Sequence, residues 1–171
     1  IQSNRGRIVT AASGGYGDWA SGVLDHLQAD IDVTVSIRST TVTECFPGII
    51  FRDNFLGDRY LLRFEPHNAV VALYRVDAYS GTWLAGSASG YAPAANDIHH
   101  VRIYAYGSTI KAKWWADGDS EPSTWQIEVT DGAHSNTGFV LTLNGGNAAV
   151  STSVEWDDLT IAASASGTDA P

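Results

Sequence analysis

The sequence predicts an all-β chain folded as two stacked antiparallel sheets. Three observations point there. Short runs alternate apolar with polar residues. Gly, Asn and Asp interrupt those runs at close intervals. Charged residues make up only 17% of a 171-residue chain that is 44% hydrophobic. Val, Ile, Thr, Tyr and Trp suit a pleated, half-buried surface, and the interruptions suit tight turns. A chain of this length buries roughly 70% of its unfolded surface as one unit. One domain over residues 1–161 is therefore expected, with an Ala/Ser/Gly/Thr-rich tail or linker at 162–171.

The elements follow in chain order. Residues 7–12 form a short strand candidate in a polar, Gly-rich start. Residues 17–30 are ambiguous, since Val23, Leu24 and Leu27 fit a helical turn while Gly22 opposes a long helix. The clearest strand is 31–37, where Ile31, Val33, Val35 and Ile37 alternate with Asp32, Thr34 and Ser36. Strands follow at 48–52, 59–65 and 69–77, separated by turn chemistry at 53–58 and by Pro66, His67 and Asn68. Ser80-Gly81 marks a turn before Trp83, and 85–95 reads as a small-residue loop. Residues 99–106 and 109–115 form a hairpin about Gly107-Ser108. Further strands carry Trp125, Ile127 and Val129, then Phe139, Leu141 and Leu143, and finally 153–161. Ten to twelve short strands at this spacing suit a sandwich or jelly roll.

The closing strand holds an irregularity. Val154 and Trp156 share one parity, but Leu159 and Ile161 share the other. A β-bulge at Asp157-Asp158 restores the alternation. Such a bulge can turn two carboxylates toward one point, which suits a Ca²⁺ site; solvent-facing acids are the plainer alternative.

Composition narrows the partners. A net charge of -9 repels phosphate backbones and anionic lipid, so nucleic acid and membrane are not expected partners. No apolar run approaches the ~20 residues of a membrane helix. Cys45 is the single cysteine and is expected to act as a small buried hydrophobe. The chain has no Met and starts at Ile1, so a processed chain or a piece of a longer protein is expected.

Lys111-Ala-Lys-Trp-Trp-Ala-Asp-Gly118, Glu121-Pro122, Trp125, Thr130-Asp131, Gly138-Phe139 and Val154-Glu-Trp-Asp-Asp-Leu-Thr-Ile161 together carry a likeness. So do Phe51-Arg52 and the Tyr60…Val71…Leu73…Arg75 pattern. Over about residues 31–161 the chain resembles concanavalin A-like, laminin-G-like jelly rolls. Such domains occur in secreted carbohydrate-binding modules, glycan-active enzymes and phage minor tail proteins. The resemblance implies a two-sheet antiparallel jelly-roll sandwich and a structural calcium near an Asp such as Asp157 or Asp158. It specifies fold far better than function.

Catalytic signatures are sparse. Retaining glucanases of this fold resemble Glu-x-Asp-x-x-Glu; here Glu155 and Asp157 are followed by Thr160 where the third acid would stand. His99 and His100 are neighbours on a strand and point to opposite faces. No HExxH, CxxC, phosphate loop or Gly-x-Ser-x-Gly elbow occurs.

The remaining polar and aromatic set suits sugars, whose apolar ring faces stack on aromatics and whose hydroxyls pair with Arg, Asp, Asn or Gln. Arg52, Arg63 and Arg75 lie on neighbouring predicted strands and are expected to project from one polar face, with Trp83 and Tyr104 as further ligand-binding candidates. The alternative is arginines paired with acids and aromatics in the core. The expected function is a non-catalytic carbohydrate-binding or adhesion module of a larger extracellular or virion protein, with a glycan as partner. A glycoside hydrolase or polysaccharide lyase, and a structural fibre domain that oligomerises, are the alternatives.

Overall fold

A computed structural model describes residues 6–10, 21–25, 29–42, 46–87, 91–135, 140–144 and 152–163 of the chain. Strands β1 (Gly6–Thr10), β2 (Ser21–Asp25), β3 (Ile31–Ser39), β4 (Gly48–Phe51) and β5 (Arg59–Glu65) lead to a 3₁₀ turn at Pro66–Asn68. Then come β6 (Val70–Asp77), β7 (Ser80–Ser87), β8 (Ile98–Tyr106), β9 (Thr109–Ala116), β10 (Ile127–Thr130), β11 (Val140–Asn144) and β12 (Thr152–Ala163). One sheet runs β1-β12-β3-β8-β9-β10 and the other β2-β11-β4-β5-β6-β7. Every pairing among these strands is antiparallel. This is the two-sheet antiparallel jelly-roll sandwich that the sequence predicts.

The period-two patterns explain how the sheets stack. Ile31, Val33, Val35 and Ile37 of β3 are all buried, as are Val101, Ile103 and Ala105 of β8 and Ile110, Ala112 and Trp114 of β9. Tyr60, Leu62 and Phe64 of β5 meet them from the other sheet, with Val71 and Leu73 of β6. Burying a side chain of this size contributes roughly 1.5–3 kcal/mol. His99 is buried beside Tyr91, 5.2 Å between rings, while His100 stacks on Trp115 at 5.4 Å on the outer face.

The irregularity in β12 is a bulge. Its register against β3 shifts between Asp157 and Thr160, and Asp158 takes φ 53°. Val154 and Trp156 are buried, and Leu159 and Ile161 pack on the same core beyond the bulge.

Other boundaries differ from expectation. Residues 80–87, expected as a turn and the start of a loop, form the edge strand β7. Gly and Ser are poor strand formers, but pairing with β6 overrides that preference. Residues 21–25 form a strand on β11 rather than a helical turn. Trp125 precedes β10 instead of lying in it. Residue Ala69 (φ 53°) closes the 3₁₀ turn, so β6 begins at Val70. The predictions that fall on Cys45, His26, Leu27, Phe139, residues 14–17 and residues 164–171 lie outside the described residues.

Candidate functional site

The site is on the outer face of the second sheet, where β5, β6 and β7 run side by side. Because Tyr60, Leu62 and Phe64 point inward, Arg59, Leu61, Arg63 and Glu65 point outward. Register then decides what stands beside them. Leu61 pairs with Tyr74 and Arg63 with Ala72; across the next pairing, Tyr74 meets Trp83 and Ala72 meets Gly86. A register shift between Leu73 and Tyr74 inserts Leu84 as an extra residue of β7 and brings Trp83 level with Tyr74.

Trp83 is 53% exposed, and its ring lies across Gly86. A Cβ at position 86 would sit 2.3 Å from Trp83 Cζ2 and 2.5 Å from Cη2. The edge of the indole therefore fills the space that a side chain at 86 would take, and about half of Trp83 stays open to solvent. Tyr74 meets it edge-on, with centroids 5.6 Å apart and planes at 84°.

Beside this platform is a fixed polar group. The Arg63 guanidinium lies 4.7 Å from the Tyr74 centroid and 5.4 Å from that of Phe46, so it is stacked between two rings. It donates to the Tyr74 hydroxyl at 2.8 Å and, through both Nε and Nη2, to Glu65 Oε1. Glu65 Oε2 accepts from Asn68 Nδ2 at 3.0 Å. Burial by itself would raise the Glu65 carboxyl, but the bonds from Asn68 and Arg63 outweigh it and hold the group below its ordinary range. His67 meets Phe46 edge-on at 4.9 Å. A line of aromatic faces thus adjoins a line of Arg, Glu and Asn polar atoms.

Of the predicted ligand residues, Arg63 and Trp83 share this face, while Arg52, Arg75 and Tyr104 do not. Of the three arginines only Arg63 projects from it. Arg52, with φ 50°, follows the end of β4 and turns inward. Its Nε donates to the Ala29 carbonyl at 2.7 Å and its Nη2 to Asp30 at 3.0 Å, and it is 1% exposed. Arg75 is opposite Tyr60, so its side chain leaves β6 on the core side and emerges at the sandwich rim. There it bonds Asp77 and Asp131, both at 2.8 Å. Tyr60 joins the same cluster, its hydroxyl 2.6 Å from Asp131; burial and then that carboxylate push it up to about 12. Tyr104 lies on the outer face of the other sheet, 6.4 Å from Trp125.

That opposite face is occupied by its own loop. Arg102 makes two bonds to Asp32 (2.9 and 2.7 Å) and one to Glu121 (2.8 Å), while Lys113 donates to the Pro122 carbonyl. Lys113 Nζ sits 4.5 Å over Trp125. Two cations, Lys113 and Arg102, thus lie over Trp125, while Trp115 stacks on His100.

The Asp157-Asp158 pair does not assemble an ion shell. Calcium takes six to eight oxygens. Asp157 Oδ1 instead accepts the Asp158 amide at 3.0 Å, and Asp158 is within 3.5 Å of the Ser36 hydroxyl. Among the described residues no group of three or more His, Cys, Asp or Glu could hold a metal. In the Glu155-x-Asp157 string, Glu155 is paired with Arg38 at 3.1 Å.

Sequence reasoning missed Glu65, Asn68, Tyr74, Phe46 and Gly86. Glu65 was within reach, two residues from Arg63 on an alternating strand. Tyr74 and Gly86 depend on register and a bulge, which leave no local signature.

No family model matches the sequence, and no curated protein sequence matches it. Solved structures do match in fold. A functionally unknown protein from Saccharomyces cerevisiae is 8% identical, with TM-score 0.67, covering 95% of this chain and 89% of that one. Sheep Galectin-11, solved with glycerol, is 5% identical, with TM-score 0.58, covering 82% and 96%. The VIP36 exoplasmic/lumenal domain, in a Ca²⁺/Man3GlcNAc-bound form, is 10% identical, with TM-score 0.58, covering 96% and 84%. The shared feature is the concanavalin A-like jelly-roll fold.

Proposed function

We propose that this chain is a glycan-binding domain that holds a sugar against Trp83, with Arg63, Glu65 and Asn68 taking its hydroxyls. The observation that carries the reading is the exposed Trp83 ring lying on Gly86 beside a prearranged Arg63-Glu65 pair. Sugar rings need an apolar face to stack on and donors and acceptors at its edge. Here both are fixed before any ligand arrives, which lowers the cost of binding. VIP36, solved with Man3GlcNAc bound, and Galectin-11 share the fold and so support the reading.

Binding without catalysis fits the same group. Among the side chains gathered around Trp83 the carboxylate is Glu65, already committed to Arg63 and Asn68. Glycoside hydrolysis uses two carboxyl groups flanking one bond. The setting included in this proposal is a larger extracellular or virion-surface protein, where glycans are displayed.

A glycan array followed by calorimetry, with and without calcium, tests the reading. Binding that is lost in Trp83→Ala is expected. No binding to any glycan under either condition would overturn it.

A further inference from the structure

We infer that the ligand is an extended, uncharged glycan chain, and that Tyr79 at the β6–β7 turn is a second platform for it. This rests on the proposed role of Trp83. Among the described residues the exposed large apolar side chains are Phe55, Leu56, Tyr79 and Trp83, at 60%, 77%, 71% and 53% exposure. All four belong to the β4–β7 part of one sheet. Scattered apolar residues on a surface carry no message; a gathered set does.

Tyr79 is held rigidly. Its amide donates to the Gly57 carbonyl at 3.1 Å, and the Ala78 amide donates to Asp58 at 2.9 Å. Its ring lies against Gly57, where a Cβ would come within 2.9 Å of it. Asn54 Oδ1 accepts the Leu56 and Asp58 amides, and Asp53 accepts the Phe55 amide, so the facing loop is built by side-chain bonds. Phe55, Ala78 and Tyr79 take φ of 59°, 47° and 68°, a left-handed backbone that non-glycine residues rarely adopt. At Ala78 and Tyr79 these are the two positive φ values of a two-residue hairpin turn closing Asp77 against Ser80, which fixes where the Tyr79 side chain leaves the sheet.

Continuity with the Trp83 face comes from β5. Arg59 projects outward like Arg63, and its guanidinium lies 5.8 Å from the Tyr79 centroid. The sheet thus presents two arginine–tyrosine units, Arg63 with Tyr74 and Arg59 with Tyr79. They are four residues apart on one strand, about 13 Å at ~3.3 Å per residue. A single pyranose cannot span that distance; a chain of linked sugars can.

Charge sets the class. Arg63 is already paired with Glu65, and Arg59 lies 3.5 Å from Asp53. Neither is a free cation for a sulfate or uronate. The chain as a whole carries -9, which repels anionic polymers.

Calorimetry on the intact chain tests this with neutral galacto-, manno-, gluco- and xylo-oligosaccharides of two and six residues, and with polygalacturonate and heparin as anionic probes. A hexamer is expected to bind at least about tenfold tighter than the dimer of the same sugar. Tyr79→Asn keeps a residue that tolerates the left-handed backbone. It should bring the hexamer down to the dimer's affinity, and Tyr79→Phe should restore the gain. Equal affinity at both lengths, hexamer binding unchanged in Tyr79→Asn, or preference for an anionic probe would each overturn the inference while leaving Trp83 in place. No binding at all, or binding indifferent to Trp83→Ala, would remove the reading beneath it.

Discussion

Trp83 lies so close over Gly86 that the indole and a β-carbon at position 86 cannot occupy the same space. The absent side chain is what leaves room for the edge of the ring. Gly86→Ala is therefore expected to lift the ring, because the far edge of the indole yields more readily than the backbone. Affinity for whichever glycan binds should fall at least about tenfold, close to that of Trp83→Ala. Stability should move by no more than about 0.5 kcal/mol, since the position is exposed on an edge strand. Paired calorimetry and urea denaturation check both halves.

Arg63 acts through the shape of its guanidinium as much as through its charge. It stacks between Phe46 and Tyr74 and forks onto Glu65. Arg63→Lys keeps the charge and loses the plane and the fork. Binding should weaken by about tenfold, with a melting temperature close to that of the parent, since a partly exposed ion pair contributes only about 0–1 kcal/mol. Full affinity in the lysine variant would mean that charge alone suffices.

Arg52 belongs to stability. Its buried guanidinium depends on Asp30, and burial lowers its pKa despite that neighbour. Asp30 also accepts the Gly107 amide at 2.9 Å. Asp30→Ala strands a buried cation and an amide together, and should cost about 3 kcal/mol. Chemical denaturation measures it; glycan affinity of the fraction that remains folded should not change.

Acid should weaken the fold in two steps. Burial lowers His99 from its ordinary 6.5, with Asp97 opposing, so the folded state binds that proton less readily than the unfolded one. Its contribution is complete above 6.5 and is lost as pH falls through the lowered value. Asp131 follows at lower pH. Burial would raise it, but bonds from Tyr60, the Ala133 amide and Arg75 hold it below 3.8. Its contribution is complete above 3.8 and is lost as pH falls through the folded value. Denaturation midpoints measured from pH 8 to 3 should decline in both windows, and His99→Phe should abolish the upper decline alone.

Alternation made the core readable in advance. The parity of Ile31, Val33, Val35 and Ile37, and of Ile110, Ala112 and Trp114, places each of them inside, and the broken parity after Trp156 marks the bulge. Arg63 and Trp83 could be picked out as polar and aromatic residues with a use beyond packing. Their grouping with Arg52 and Arg75 could not be checked locally. Arg52 leaves the strand pattern at a positive φ, and Arg75 faces inward because it is paired with Tyr60.

The sequence by itself determined that this chain is a two-layer β-sandwich with an acidic, sparsely charged surface, because side-chain parity along a strand is a property of neighbouring residues. Only the tertiary structure decided which residues meet across strands: Tyr74 with Trp83, Ala72 with Gly86, Tyr79 with Gly57 and Arg59. Cross-strand register is set by hydrogen bonds and bulges between segments far apart in the chain. A one-residue change in any of them would send the same side chains to the opposite face.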